Sequence, residues 1–281
     1  MVTGLKITQT SNKLNTNSIK ELSIQISLNG LSFCVLNRST HTIEFLISEH
    51  FDKKLPPFAL LEKLKAAFSL YAELQDDFNS VLIIYQNELS TLVPKELFDK
   101  DTIADYLKFN SKILKSDYIS FDEIAINSSV NVFVPLVNIN NYIFENFGSF
   151  KYKHASSILV DSILQSNYSS KEEKVVLNLS SGYFEMIALN EGKLQLYNSF
   201  EFDTKEDFIY YVLFTMEQLK MSPEQVEVVL SGEIDETSEL YQIAYHYIRN
   251  VSFIKPGYTF AFEEQSKPSL VHQDYLILNS F

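Results

Sequence analysis

The segment Val175–Phe202 reads VVLNLSSGYFEMIALNEGKLQLYNSFEF. Apolar and polar residues alternate along it. The pattern breaks at Ser180-Ser181-Gly182, resumes from Tyr183 to Leu189, breaks again at Asn190-Glu191-Gly192 and runs on through Leu194 and Leu196. Period-two apolar runs separated by Gly-containing corners predict three consecutive antiparallel strands joined by tight turns. The N-terminal half holds a second meander of the same kind: Leu22 to Ile26, a corner at Leu28-Asn29-Gly30, Leu31 to Leu36, a polar turn from Asn37 to Thr40, and Ile43 to Leu46. With Ser27 laid on Asn178, both corners and both third strands stay in step.

Each meander is followed by helices and buried strands. Pro56-Pro57 fits a helix start, and Leu60, Leu64, Ala67, Phe68, Tyr71 and Leu74 then recur at helical spacing. Val81–Tyr85 reads as a buried strand. Leu92-Val93-Pro94 and Leu97-Phe98 lead into a helix over Thr102–Leu107, Tyr118–Phe121 and Val130–Val134 read as a strand pair, and Tyr142–Phe147 as a short helix. A helix over Ser157–Leu164 closes the first half. In the second half Thr204, three residues before Asp207, has the form of an N-cap. Its helix runs to Leu219, followed by strand Val226–Leu230, helix Glu236–Arg249, strand Val251–Ile254 and a docked apolar segment, Tyr275–Leu278. Leu5–Ile7 reads as a short strand in a polar N-terminal arm. The expected organisation is therefore two lobes, 1–165 and 166–281, with a small inserted subdomain around 90–135.

The chain has 281 residues, enough for about two such units on a prior of roughly 150 residues each. With 46% apolar residues and 22 Phe it belongs among globular rather than disordered chains. A net charge of −13 repels a nucleic-acid backbone, and no Lys/Arg cluster offsets it. No apolar run approaches the roughly 20 residues of a membrane span, and the N-terminal stretch has no signal-type apolar core. These features predict a soluble, cytoplasmic protein without nucleic-acid partners or membrane insertion. Cys34, the single cysteine, sits in an apolar run and reads as a packed strand thiol.

Two halves, each opening on a three-stranded meander, resemble the plan of the actin-like ATPase superfamily, which includes actin, sugar kinases, heat-shock chaperone ATPase domains and pilus-assembly members. The resemblance spans about Leu22 to Ile254 and implies an α/β, duplicated ribonuclease H-like fold: two lobes, each with a mixed sheet flanked by helices. The runs Phe208–Lys220 and Val226–Asp235 are further similar to an uncharacterised bacterial domain-of-unknown-function family with a degenerate version of this fold. In active superfamily members the backbone N–H groups of Gly-rich corners hold phosphate oxygens, and a carboxylate ending the first strand organises magnesium.

Here the first corner, Asp-x-Gly-Thr in the superfamily, is met by Ser27-Leu28-Asn29-Gly30, and the second, Asp-x-Gly-Gly-Gly-Thr, by Asn178-Leu179-Ser180-Ser181-Gly182-Tyr183. A Gly-Gly pair on the adenosine side is met by Ser231-Gly232. The corners persist without their acids. The resemblance thus marks a degenerate nucleotide cleft at Asn29, Gly30, Asn178, Ser180, Ser181, Gly182, Ser231 and Gly232, with Glu233 and Asp235 the only acids beside a corner. The plainer reading of Gly30, Gly182 and Gly232 is that tight turns require positive φ.

The five histidines show no chelating spacing, and no P-loop, nucleophile elbow or dinucleotide fingerprint is present. The aromatics Tyr210, Tyr211, Phe214, Tyr241, Tyr245 and Tyr247 read as core and inter-helix packing first and a partner surface second. The expected function is a non-catalytic protein, a pseudo-ATPase acting through a protein partner or self-association, with no metal and no cofactor. ATP with magnesium is the disfavoured alternative, in a nucleotide-binding protein or phosphotransferase with displaced ligands.

Overall fold

The computed structural model describes residues 18–108, 111–167, 169–255 and 257–281; the expected strand at Leu5–Ile7 lies outside them. Strands β1 (Lys20–Ser27), β2 (Gly30–Asn37) and β3 (Thr42–His50) form the first meander, and helix α1 (Pro57–Leu70) leads to β4 (Ser80–Gln86). Next come β5 (Ser90–Pro94), α2 (Ile103–Lys108), β6 (Ser120–Ile124), β7 (Ser129–Phe133), α3 (Val137–Phe147), β8 (Lys151–His154) and α4 (Ala155–Asn167). The second meander is β9 (Lys174–Ser180), β10 (Tyr183–Asn190) and β11 (Lys193–Glu201). It continues with α5 (Lys205–Gln218), β12 (Glu227–Gly232), α6 (Glu239–Tyr247), β13 (Asn250–Phe253), β14 (Ala261–Phe262) and α7 (Tyr275–Leu278).

The two main sheets repeat one topology. The first runs β14-β3-β2-β1-β4-β8 and the second β11-β10-β9-β12-β13, with the first three strands of each lobe antiparallel and the next two parallel. This is the duplicated α/β, actin-like plan. A separate sheet, β5-β7-β6, lies within the excursion from the first lobe. Leu92–Pro94 is therefore part of a strand rather than the approach to a helix.

Both main sheets are covered on both faces, which is why their strands carry apolar residues on alternate and adjacent positions. Leu31, Phe33 and Val35 of β2 pack outward with α1 and α3, while Cys34 and Leu36 face the centre of the molecule. Val175, Leu177 and Leu179 of β9 pack under α5 and α6, while Val176 faces the centre. The central core holds α4 and the fully enclosed α7 between the sheets. Tyr275–Leu278 is buried as expected.

Two features cross the expected division at 165/166. Strand β14 pairs with β3, adding the C-terminal segment to the first sheet, and Ser280 Oγ donates to Ser23 Oγ at 2.7 Å. The chain returns to the first lobe because its last apolar residues find their partners in the central core.

Local chemistry explains most element ends. Pro56 and Pro57 start α1 at the N-cap and first turn. The helix ends at Leu70, short of Leu74; Tyr71 is extended and a short 3-10 turn over Ala72–Gln75 delivers Leu74 to the core instead. Thr204 and Asp207 form a reciprocal capping box at the start of α5. Helix α6 is shorter than Glu236–Arg249, because Ser238 caps it and the turn before it is held by Asp235 accepting from Thr237.

Candidate functional site: the cleft between the lobes

The two meander corners meet where the lobes touch. β1 and β2 are joined by the two-residue turn Leu28-Asn29, with Ser27 opposite Gly30; β9 and β10 are joined by Ser181-Gly182, with Ser180 opposite Tyr183. Hairpin geometry thus matches Ser27 with Ser180 and Gln25 with Asn178, two residues along from the register expected from the sequence. The turns themselves, not their flanking letters, fix the equivalence. No acid stands at either strand end in this register.

Alternation places Gln25 of β1, Gln86 of β4, Asn178 of β9, Glu185 of β10 and Ser231 of β12 toward the other lobe, where they bond to one another. Gln25 Nε2 donates to Gln86 Oε1 at 2.9 Å, and Gln86 Nε2 donates to Glu185 Oε2 at 3.2 Å. Asn178 Nδ2 donates to the same oxygen at 3.0 Å, while Asn178 Oδ1 accepts from Ser231 Oγ at 3.1 Å. Tyr197 OH donates to Glu185 Oε1 at 2.8 Å. The Asn178 amide is thereby engaged at both ends.

Glu185 is the residue that sequence reading missed. It lies directly opposite Asn178 in the β9–β10 ladder and is fully buried. Burial pushes its carboxyl above the ordinary carboxylate range, and the donors Asn178, Tyr197 and Gln86 pull part of the way back. The signal was present: a Glu interrupting the inward apolar positions of a central strand has to be paired when buried.

Several backbone groups at the corners are also occupied. Gly232 N–H donates to His272 O at 3.0 Å, and Glu233 N–H to Leu179 O at 2.8 Å. Asn29 Nδ2 reaches across to Ser181 O at 3.2 Å. The Glu233 carboxylate faces the Ser181 backbone amide and lies 3.4 Å from His50 Nδ1, so a side-chain anion already occupies this amide. Burial raises the Glu233 carboxyl, while His50 and the Ser181 amide lower it. Asp235, the other acid beside this corner, is half-buried, and its Oδ1 accepts from both the backbone N–H and the hydroxyl of Thr237.

What space remains is small. One polar cavity of about 40 Å³ touches Asn178, Ser180 and Gly232, and is closed from the C-terminal side by Gln273, Asp274 and Leu276. A second of about 30 Å³ touches Asn29, Ser180 and Tyr183. Ligand sites for drug-sized molecules occupy roughly 300–1,000 Å³. Tyr183 is half-buried at the corner, and its enclosed hydroxyl has no partner in good hydrogen-bonding geometry, although Ser199 and Tyr197 lie beside it.

The glycines divide by cause. Gly182 (φ 69°) and Gly232 (φ 84°) do occupy the left-handed region. Gly30 does not; there the constraint is space, because a Cβ would stand 2.9 Å from Glu49 O. At Gly232 a Cβ would land on the Leu179 carbonyl oxygen and 2.9 Å from Leu179 N, so β12 approaches β9 more closely than any side chain permits.

Other candidate chemistry is accounted for by packing. Cys34 is buried, and burial holds its thiol well above the ordinary range. His154 is fully enclosed, bonded to Ser156 Oγ at 2.8 Å and Asn87 O at 3.2 Å, and burial depresses it to about 3. Among the described residues no group of three His, Cys, Asp or Glu side chains is placed to hold a metal, and no helix is long and apolar enough to cross a membrane. The aromatic helices depart from the expected core reading: Tyr210, Phe214, Tyr245 and Tyr247 are exposed. The buried contacts are made instead by Phe208, Ile209, Val212 and Met216 of α5 and Ala244 of α6.

Comparison with known proteins agrees with the topology. A crystal structure from Bacteroides thetaiotaomicron VPI-5482, described as a protein with actin-like ATPase fold and unknown function, superposes with a TM-score of 0.76 at 22% identity, covering 84% of this chain and 91% of that one. The PilM-PilN type IV pilus biogenesis complex superposes with a TM-score of 0.60 at 13% identity, covering 92% of this chain and 96% of that one. No curated protein matches the sequence. The family model described as "Protein of unknown function (DUF3822)" matches residues 9–251, and the chain, with its duplicated actin-like fold, belongs to that family.

Proposed function

We propose that the chain is a non-catalytic adaptor or scaffold, a pseudo-ATPase that works in the bacterial cytoplasm through a protein partner. The observation that carries this reading is the self-satisfied cleft: Asn178, Gln86 and Ser231 spend their hydrogen bonds on one another and on Glu185, leaving cavities of about 40 and 30 Å³. Phosphoryl transfer needs positive or metal charge around the phosphates; here the corner presents Glu233 and, beneath it, Glu185. The PilM-PilN complex supports the partner half of the reading, since there a protein of this fold is held in a complex with another protein.

The alternative, a nucleotide-binding protein with displaced ligands, makes a distinct prediction. A ligand at 100 times its dissociation constant adds about 2.7 kcal/mol of stability. Thermal unfolding of the purified chain with and without millimolar ATP or ADP and magnesium is expected to give superimposable curves. A clear upward shift that disappears in Asn178→Ala or Ser181→Ala would overturn the adaptor reading.

A further inference from the structure

A larger open space lies outside the cleft, between two strand edges. Among the described residues, β5 is an edge of its three-stranded sheet and pairs only with β7, and β11 is an edge of the second main sheet and pairs only with β10. Between them runs a groove of two adjoining stretches. The first, of about 440 Å³, lies between Ser90–Leu92 and Tyr197–Ser199. The second, of about 910 Å³, continues between Leu92–Pro94 and Glu191–Tyr197 over a floor that includes Ile126 and Leu164. Leu92 and Tyr197 wall both.

Ladder geometry tells which backbone groups face this groove. Antiparallel strands alternate residues that bond to the neighbour with residues that turn their N–H and C=O away. Val134 N–H bonds Leu89 O and Lys95 N–H bonds Ser128 O. Thr91 and Val93 therefore bond inward to β7, and Ser90, Leu92 and Pro94 face outward. On the other bank, Phe202 N–H bonds Gly182 O, so Phe200 and Asn198 bond β10 while Tyr197 and Ser199 face outward. Among the described residues, none of the outward backbone groups of Ser90, Leu92, Tyr197 or Ser199 has a hydrogen-bond partner.

We propose that this groove binds an extended segment of a partner protein, which inserts as a strand between β5 and β11 and joins the two sheets. The inference rests on the adaptor reading and supplies its surface. Unpaired strand edges are templates for added strands, and two facing edges offer hydrogen bonds to both sides of one backbone. From Glu88 to Pro94 the β5 bank extends roughly 23 Å at about 3.3 Å per residue, which sets the inserted strand at about seven residues. The floor of Ile126, Leu164 and Leu194 selects apolar side chains at alternate positions, and the open side selects polar ones. Charges at the two ends are mixed, Glu88 with Lys112 and Glu191 with Lys193, so the groove has no preference for a charged peptide. A second copy of this chain is a poor occupant, because each copy carries a net charge of −13.

The test is selection of a random decapeptide display library on the purified chain, followed by binding measurements with the synthetic winner. Enrichment of alternating apolar and polar sequences is expected. Ser199→Pro and Ser90→Pro remove outward N–H groups while sparing the β10 and β7 ladders, and each should weaken binding at least ten-fold. Backbone N-methylation of the peptide at alternate residues should do the same without altering the protein. On binding, the amides of Ser90, Leu92, Tyr197 and Ser199 should become slow to exchange. No enrichment, undiminished binding of the N-methylated peptide, or protection of these amides by self-association in sedimentation would overturn the proposal. Its failure with unchanged nucleotide thermal curves would leave the adaptor reading standing. Peptide binding together with a nucleotide shift would retain the groove and remove the pseudo-ATPase.

Discussion

Gly232→Ala separates the structural from the ligand-binding account of the corners. The substitution adds one methyl group to a residue at φ 84°, where an L side chain is strained by about 1–2 kcal/mol. That methyl meets backbone rather than a side chain that can swing away: Leu179 O, and Leu179 N at 2.9 Å. Relieving the overlap means pulling β12 off β9, where Gly232 N–H and Glu233 N–H are also committed to His272 O and Leu179 O. Overpacking of this kind adds about 1–3 kcal/mol, for an expected loss of about 2–5 kcal/mol in all. Gly182→Ala is the internal control. Its φ of 69° carries the same strain, but its nearest neighbour, Phe202 O, is 3.6 Å away, an ordinary contact, so it should cost about 1–2 kcal/mol. Urea unfolding of both variants, with no nucleotide present, measures the difference. Equal losses for the two would refute the close-approach argument.

Three further expectations concern charge and capping. Replacing Glu185 by Gln removes a buried titrating group whose folded pKa lies above the ordinary 4.5. The wild type is therefore favoured below pH 4.5 and loses stability relative to Glu185→Gln as pH rises above it, which paired denaturation curves across pH will show; a constant difference would argue that the carboxyl is not perturbed. For His154 the sign is opposite: the unfolded ring gains a proton near 6.5 and the folded one only near 3. Wild type should lose up to about 1.4 kcal/mol per pH unit relative to His154→Asn as pH falls through that window, and parallel profiles would count against it. Thr204→Ala, which removes one half of the capping box on α5, should cost about 1 kcal/mol in urea unfolding, against no change if the helix is held by packing alone.

Much of the architecture was legible in the residues because it depends on local rules. Alternation in Val175–Phe202 specified strands, the Gly-containing corners specified turns, and Thr204 with Asp207 specified the start of α5. The absence of any acid from Ser27–Gly30 and Asn178–Tyr183 was equally legible, since it needs only the letters at the corners. The register between the two halves was not, because Ser27 and Asn178 look equivalent in sequence while the two-residue turns align Ser27 with Ser180. Nor was Glu185, whose role depends on facing Asn178 across a ladder and Gln86 across the lobe boundary, 99 residues away in the chain. The residues alone specified two meanders and their acid-free corners, because strands, turns and caps are set within a few residues. That the cleft is closed by its own polar groups and that β5 and β11 present facing edges emerged with folding, because both depend on contacts between residues far apart in sequence.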